Sequence, residues 1–118
     1  MPLDYEKLMR MKFEPVTAQY ERKDTMLYAL GLGVGAQHPF DAGELKYVYE
    51  RELVALPTFA VTLAANPMLF TDPKFGVNYA MLLHGEQSLL VHKPVPAEGT
   101  VVSQMRIDEI YDKGAAKG

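Results

Sequence analysis

The stretch Leu56-Pro57-Thr58-Phe59-Ala60-Val61-Thr62-Leu63-Ala64-Ala65-Asn66-Pro67 decides how the chain is read. Pro57 or Thr58 suits a helix start, because proline lacks an N–H that the first turn leaves unpaired anyway and threonine can accept from one. Asn66-Pro67 stops the run, since the residue before a proline avoids helical angles. Between these signals the segment is apolar on nearly every face. Such a helix is expected to be buried all round, and its Ala and Thr residues allow a sheet to approach closely. The rest of the chain therefore has to supply a covering layer.

Downstream, Met68–Asn78 contains Thr71-Asp72-Pro73 and Gly76 and reads as a loop. Residues 86–93 read as a strand. Pro94-Val95-Pro96-Ala97-Glu98-Gly99 reads as a turn that pivots on Gly99. Thr100–Tyr111 reads as a second strand: Val101, Met105 and Ile107 are apolar, with polar Gln104, Arg106 and Asp108 between them. Upstream, Leu3–Met11 makes a short amphipathic turn of helix, and Phe13–Tyr20 is extended. Asp24 then caps a helix over Met26–Leu30, with Leu27 and Leu30 on one side and Gly31, Gly33 and Gly35 ending it. His38–Gly43 is a loop. Glu44–Glu50 reads as extended, because Leu45, Tyr47 and Tyr49 alternate with Lys46, Val48 and Glu50. The order is helix, buried helix, then a hairpin, an α+β pattern.

Composition bounds the function. With 118 residues, 48% hydrophobic and 23% charged, the chain is globular in type rather than disordered or fibrous. No apolar run approaches the ~18 residues of a membrane span, and the acidic start is unlike a secretory signal. The absence of cysteine excludes disulfides, thiolate catalysis and Cys-based zinc sites. The histidines, His38, His84 and His92, are too scattered to form a metal site by themselves. A net charge of −3 and a pI near 5.6 argue against binding a nucleic-acid backbone. The expectation is a soluble domain of a reducing compartment. One feature conflicts with completeness: a two-stranded hairpin is too little sheet to wrap a fully apolar helix, and its second strand has an open edge. The missing strands are expected from another chain or from further polypeptide.

Certain strings then stand out in order: Tyr20 with Asp24-Thr25-Met26-Leu27-Tyr28-Ala29-Leu30-Gly31-Leu32-Gly33, Glu44–Glu50, Leu56-Pro57-Thr58-Phe59, Leu83-His84-Gly85-Glu86-Gln87 with Lys93-Pro94, and Ile110-Tyr111-Asp112-Lys113-Gly114. In this order and spacing they resemble the N-terminal half of the MaoC-like dehydratases. More closely, they resemble the N-terminal hot-dog repeat of the (R)-specific 2-enoyl-CoA hydratases, the hydratase 2 unit of peroxisomal multifunctional enzyme type 2. The resemblance covers residues 13 to 114. It implies a hot-dog fold, a central helix wrapped by a curved antiparallel sheet, incomplete in this chain. It makes residues 1–118 an N-terminal repeat truncated before its last strands.

The resemblance also implies hydration of trans-2-enoyl-CoA to (R)-3-hydroxyacyl-CoA, with the CoA thioester as substrate and no cofactor or metal. In the family, an Asp and a His of a Gly-Asp-x-Asn-Pro-(Ile/Leu/Val)-His motif in the C-terminal repeat activate the water. Here the nearest string is Ala65-Asn66-Pro67-Met68-Leu69, with no Gly-Asp before it and no His after it. No catalytic residue is therefore assigned to this chain. The implied partners are acyl-CoA and a C-terminal catalytic hot-dog repeat or a separate hot-dog chain, in a homo- or hetero-oligomer, with no nucleic acid or membrane. The implied location is the cytoplasm in a bacterium or the peroxisome in a eukaryote. The alternative is a non-catalytic acyl-CoA-binding or bracing subunit that pairs with a separate catalytic chain.

The residues singled out for binding or supporting a site are His84, Gly85, Glu86, Tyr28 and Glu50. His84 and Glu86, two apart, share a strand face at the pocket mouth or form a polar cluster at a strand start, with Gly85 permitting a kink. Tyr28 lines the site or is a core tyrosine with its hydroxyl bonded. Glu50 matters if it is buried, because an unpaired buried carboxylate is costly. Met26, Phe59 and Met81 are candidates for the acyl-pocket wall. Gly31-x-Gly33-x-Gly35 follows a helix rather than a strand, so helix termination is its reading rather than a nucleotide loop.

Overall fold

Asp4 begins the first helix by accepting the Lys7 N–H at 3.0 Å, and α1 runs over Tyr5–Met9. The computed structural model describes residues 3–64 and 67–116. β1 spans Val16–Tyr20, α2 Arg22–Gly31 and α3 Ala42–Val48. A 3₁₀ turn at Pro57–Phe59 leads into α4, Ala60–Ala64, and further 3₁₀ turns occupy Pro67–Thr71, Pro73–Phe75 and Tyr79–Met81. β2 spans Gly99–Ser103. The result is a small α+β protein with a two-stranded antiparallel sheet. The chain divides into two compact units. One comprises the residues up to Pro15, 67–86 and from Gln104 onward; the other comprises Val16 to 64 and Gln87–Ser103.

The sheet differs from the expected hairpin. β1 pairs with β2, placing Val16 opposite Ser103 and Tyr20 opposite Gly99. Residues 86–93 form no strand and are exposed throughout, and β2 stops at Ser103 rather than Tyr111. The physical reason lies in Leu89-Leu90-Val91. Consecutive apolar side chains point to both faces of a strand, so they fit only where both faces are covered. Pro94 and Pro96, lying just before β2, also remove two backbone donors that a tight hairpin would use. The face preference survives without a ladder: Met105 and Ile107 are half-buried, while Gln104, Arg106 and Asp108 are exposed.

In the unit containing the sheet, Phe59 is buried, Val61 and Leu63 are half-buried, and Thr62 is exposed. The helix at α4 is therefore not buried all round. Two strands lie against it, and two strands cover one side. The Thr62 hydroxyl donates to the Phe59 carbonyl at 2.8 Å, which satisfies it locally.

α2 begins earlier than expected. Asp24 sits inside the first turn, where its carboxylate accepts the Glu21 N–H at 2.7 Å. The helix buries Thr25 and Ala29, while Leu27 and Leu30 are 69% and 55% exposed, so the covered side is opposite the leucines. It ends at Gly31, and Gly33 and Gly35 carry the chain away with left-handed φ values of 89° and 80°.

α3 replaces the extended segment expected over Glu44–Glu50. Asp41 caps it by accepting the Glu44 N–H at 3.1 Å, and Leu45 and Val48, three apart, are both half-buried. The period-two alternation of Leu45, Tyr47 and Tyr49 yields to this cap. α3 packs beside α2.

The other unit is built on Phe75, which is 1% exposed. It stacks with Phe13 at 6.1 Å and meets Phe70 edge-on at 5.4 Å. Leu8 is buried as well. Gln104 Nε2 donates to the Phe13 carbonyl at 2.6 Å, and the Tyr5 hydroxyl donates to Glu109 at 3.0 Å, which raises the Tyr5 pKa. Asp72 accepts the Lys74 N–H at 2.9 Å and ion-pairs with its Nζ, also at 2.9 Å, and these bonds hold its carboxyl below the usual value.

Candidate functional site

The chemistry-bearing cluster of the sheet unit is aromatic. β1 delivers Tyr20, α2 delivers Tyr28, and the turn before α4 delivers Phe59. Phe59 meets Tyr20 edge-on at 5.2 Å and Tyr28 edge-on at 5.4 Å. These distances lie in the favourable range for ring pairs. The Tyr28 hydroxyl donates to Thr58 Oγ1 at 3.0 Å, and the Tyr20 hydroxyl donates to the Pro96 carbonyl at 2.9 Å. Burial raises the Tyr20 pKa, because a phenolate there would lose its hydration. Thr25, 1% exposed, donates one hydroxyl to both the Arg22 carbonyl at 2.9 Å and the Ala97 carbonyl at 3.1 Å. Tyr20 and Thr25 thus fasten the Pro96–Ala97 turn to β1 and α2.

This arrangement is an apolar wall edged by hydroxyl groups already committed to hydrogen bonds. Tyr20 and Phe59, each 4% exposed, are packed into it, and only Tyr28 reaches partly to the surface. The cluster contains no carboxylate–imidazole pair for moving a proton. Among the described residues, no group of three or more His, Asp or Glu side chains could hold a metal ion.

The residues singled out from the sequence divide between the units. Tyr28 joins the cluster and is half-buried. Glu50 belongs to the same unit but is exposed, so the burial that would make it costly is absent; its backbone carbonyl accepts from the Arg22 guanidinium. His84, Gly85 and Glu86 belong to the other unit, lie in irregular chain and are exposed, so they share no strand face. A Cβ added at Gly85 would meet nothing within 4 Å, so neither kink nor crowding requires glycine there. Of the wall candidates, Phe59 is buried, Met26 half-buried and Met81 78% exposed. Asn66, in the string nearest to the dyad motif, lies outside the described residues. Sequence reasoning missed Thr25, Thr58 and the turn-fastening role of Tyr20. Thr25 and Ala29, four apart and both small, were the available signal for the packed side of α2.

The sequence model of the MFE-2 hydratase 2 N-terminal domain matches residues 18–118, which include this whole cluster. The chain belongs to the MFE-2 hydratase 2 N-terminal domain family. Members and relatives of this hydratase 2 family carry consistent names. The probable enoyl-CoA hydratase 2 of Dictyostelium discoideum is 36% identical over 97% of this chain and 39% of its own length. Peroxisomal multifunctional enzyme type 2 of Mus musculus is 36% identical over 88% of this chain and 15% of its own length. The 3-hydroxyacyl-thioester dehydratase Y of Mycobacterium tuberculosis is 35% identical over 88% of this chain and 35% of its own length. The chain thus spans about two fifths or less of each of these relatives. The hydratase 2 relatives include parts of larger multifunctional enzymes, and the mouse one is named as peroxisomal. Among the described residues, no helix is long and apolar enough to cross a membrane.

Proposed function

We propose that the chain is the acyl-binding, non-catalytic N-terminal part of an (R)-specific enoyl-CoA hydratase acting on trans-2-enoyl-CoA and (R)-3-hydroxyacyl-CoA. The observation that carries this reading is the family match over residues 18–118 in a sequence without the Gly-Asp-x-Asn-Pro-x-His string. Met26 and Tyr28, both half-buried in the sheet unit, are the side chains there that could reach an acyl chain. The half-exposed α4 supports the hot-dog reading, in which further strands complete the wrap of a central helix. The catalytic Asp and His belong to a C-terminal hot-dog repeat or a separate hot-dog chain, and the exposed His84, Gly85, Glu86 and Glu50 are the residues proposed to support that site. No cofactor or metal is needed beyond the CoA thioester. The chain works in the peroxisome if its source is a eukaryote and in the cytoplasm if bacterial.

The test mixes the purified chain with crotonyl-CoA and follows loss of the conjugated thioester absorbance, alongside a binding titration with a longer enoyl-CoA. The expected result is saturable binding without turnover. Robust turnover by the chain alone would place the dyad within it and overturn the proposal.

A further inference from the structure

The unit built on Phe75 contains a cavity of about 380 Å³ that the enoyl-CoA reading does not use. This size lies within the ~300–1,000 Å³ of small-molecule pockets. Leu3, Leu8 and Phe75 form its apolar lining, and Lys7, Lys74 and Asp4 bring charge to it. Leu3, Asp4, Lys7 and Leu8 precede the family-matched residues, whereas Lys74, Phe75 and Gly76 lie within them.

The two lysines differ. Lys74 Nζ is held by Asp72 at 2.9 Å and lies 5.1 Å from the centre of the Phe75 ring. Lys7 makes no salt bridge among the described residues. Asp4 spends one oxygen on the Lys7 N–H. The cavity thus offers the Lys7 ammonium, which makes no ion pair among the described residues although Asp72 feels its charge, beside an apolar floor, with the Asp4 carboxylate on its wall and Asp72 bonded to Lys74. Lys7, the ammonium without an ion pair within reach, can take at most one further negative charge, so a monoanion suits the cavity; a dianion would be repelled by Asp4 and Asp72. A charge-assisted bond from an ammonium to a carboxylate is among the stronger polar contacts, and the floor of Leu3, Leu8 and Phe75 rewards an attached alkyl chain.

We propose that this cavity binds a free medium-chain carboxylate, with its head on Lys7 and its chain over Leu3, Leu8 and Phe75. The site is independent of the thioester reading.

The test titrates the full chain with sodium octanoate and follows backbone amide NMR shifts. Saturating shifts are expected at residues 3–8 and 74–76. Lys7→Gln weakens binding by roughly fivefold or more, while Lys7→Arg, which keeps the charge, retains it. Octylammonium, with the same chain and the opposite charge, does not bind. Lys7 is exposed, so neither variant threatens folding. The proposal is overturned by shifts that do not saturate, by unchanged affinity in Lys7→Gln, or by equal binding of octylammonium. Displacement of octanoate by crotonyl-CoA also overturns it, because the cavity would then belong to the thioester.

Discussion

Replacing Phe59 with alanine tests whether the aromatic cluster holds the sheet unit together. Phe59 is 4% exposed and bridges two rings, Tyr20 at 5.2 Å and Tyr28 at 5.4 Å. Removing a buried phenylalanine forfeits about 1.5–3 kcal/mol of transfer free energy. Each edge-on ring pair adds about 0.5–1.5 kcal/mol. Partial collapse of the cavity returns some of this, so the net cost is about 3–5 kcal/mol. Alanine is itself compatible with the turn leading into α4, so the backbone adds little. With a urea dependence of about 2 kcal/mol per molar, the unfolding midpoint falls by roughly 1.5–2.5 M. Circular dichroism in a urea series reads this directly. Phe40→Ala is the control: Phe40 is 92% exposed, and its removal changes stability by about 0.5 kcal/mol or less. A midpoint shift for Phe59→Ala no larger than that of the control would refute the claim that the three rings form the unit's core.

Two further outcomes follow from the same geometry. Gly31→Ala stabilises by about 0.4–1 kcal/mol, because a Cβ there meets nothing within 4 Å and the unfolded chain loses freedom, whereas Gly33→Ala at φ 89° destabilises by about 1–2 kcal/mol; paired thermal melts should move in opposite directions. Burial raises the Tyr20 pKa, so its contribution is fully present below the unfolded value near 10.0 and is lost as pH rises through the folded value. Stability measured across an alkaline series should therefore fall less steeply in Tyr20→Phe, which at neutral pH costs about 0.5–1.5 kcal/mol for the lost bond to Pro96.

What the sequence disclosed depended on whether the deciding partner was local. The end of α2 was legible because Gly31, Gly33 and Gly35 act on their own backbone. Its covered side was not, because Leu27 and Leu30 are the more hydrophobic residues, yet Thr25 and Ala29 are the buried ones and Thr25 is small enough to let the Pro96–Ala97 turn come close. α3 was hidden by an alternation that matched a strand over seven residues, and only the cap at Asp41, outside that window, reveals the helix. The alternation after Val101 correctly gave which side chains are half-buried, but a strand also needs a ladder partner, and that cannot be read from one segment. The site was partly legible in the same sense. Tyr28 and Phe59 come together in one packed aromatic cluster, whereas a shared strand face for His84 and Glu86 required a strand that does not form.

The pairing of β1 with β2 joins positions far apart in the sequence; Ser103 donates back to the Val16 carbonyl across a separation of 87 residues. Closing a loop of that length costs about 4 kcal/mol of chain entropy before any contact offsets it. During synthesis at ~5–20 residues per second, β1 leaves the ribosome roughly 4–17 s before its partner exists. Throughout that interval Val16–Tyr20 is an unpaired edge open to any strand nearby, so the nascent chain has a window in which a holding chaperone, or a slow dilution in vitro, decides between folding and aggregation.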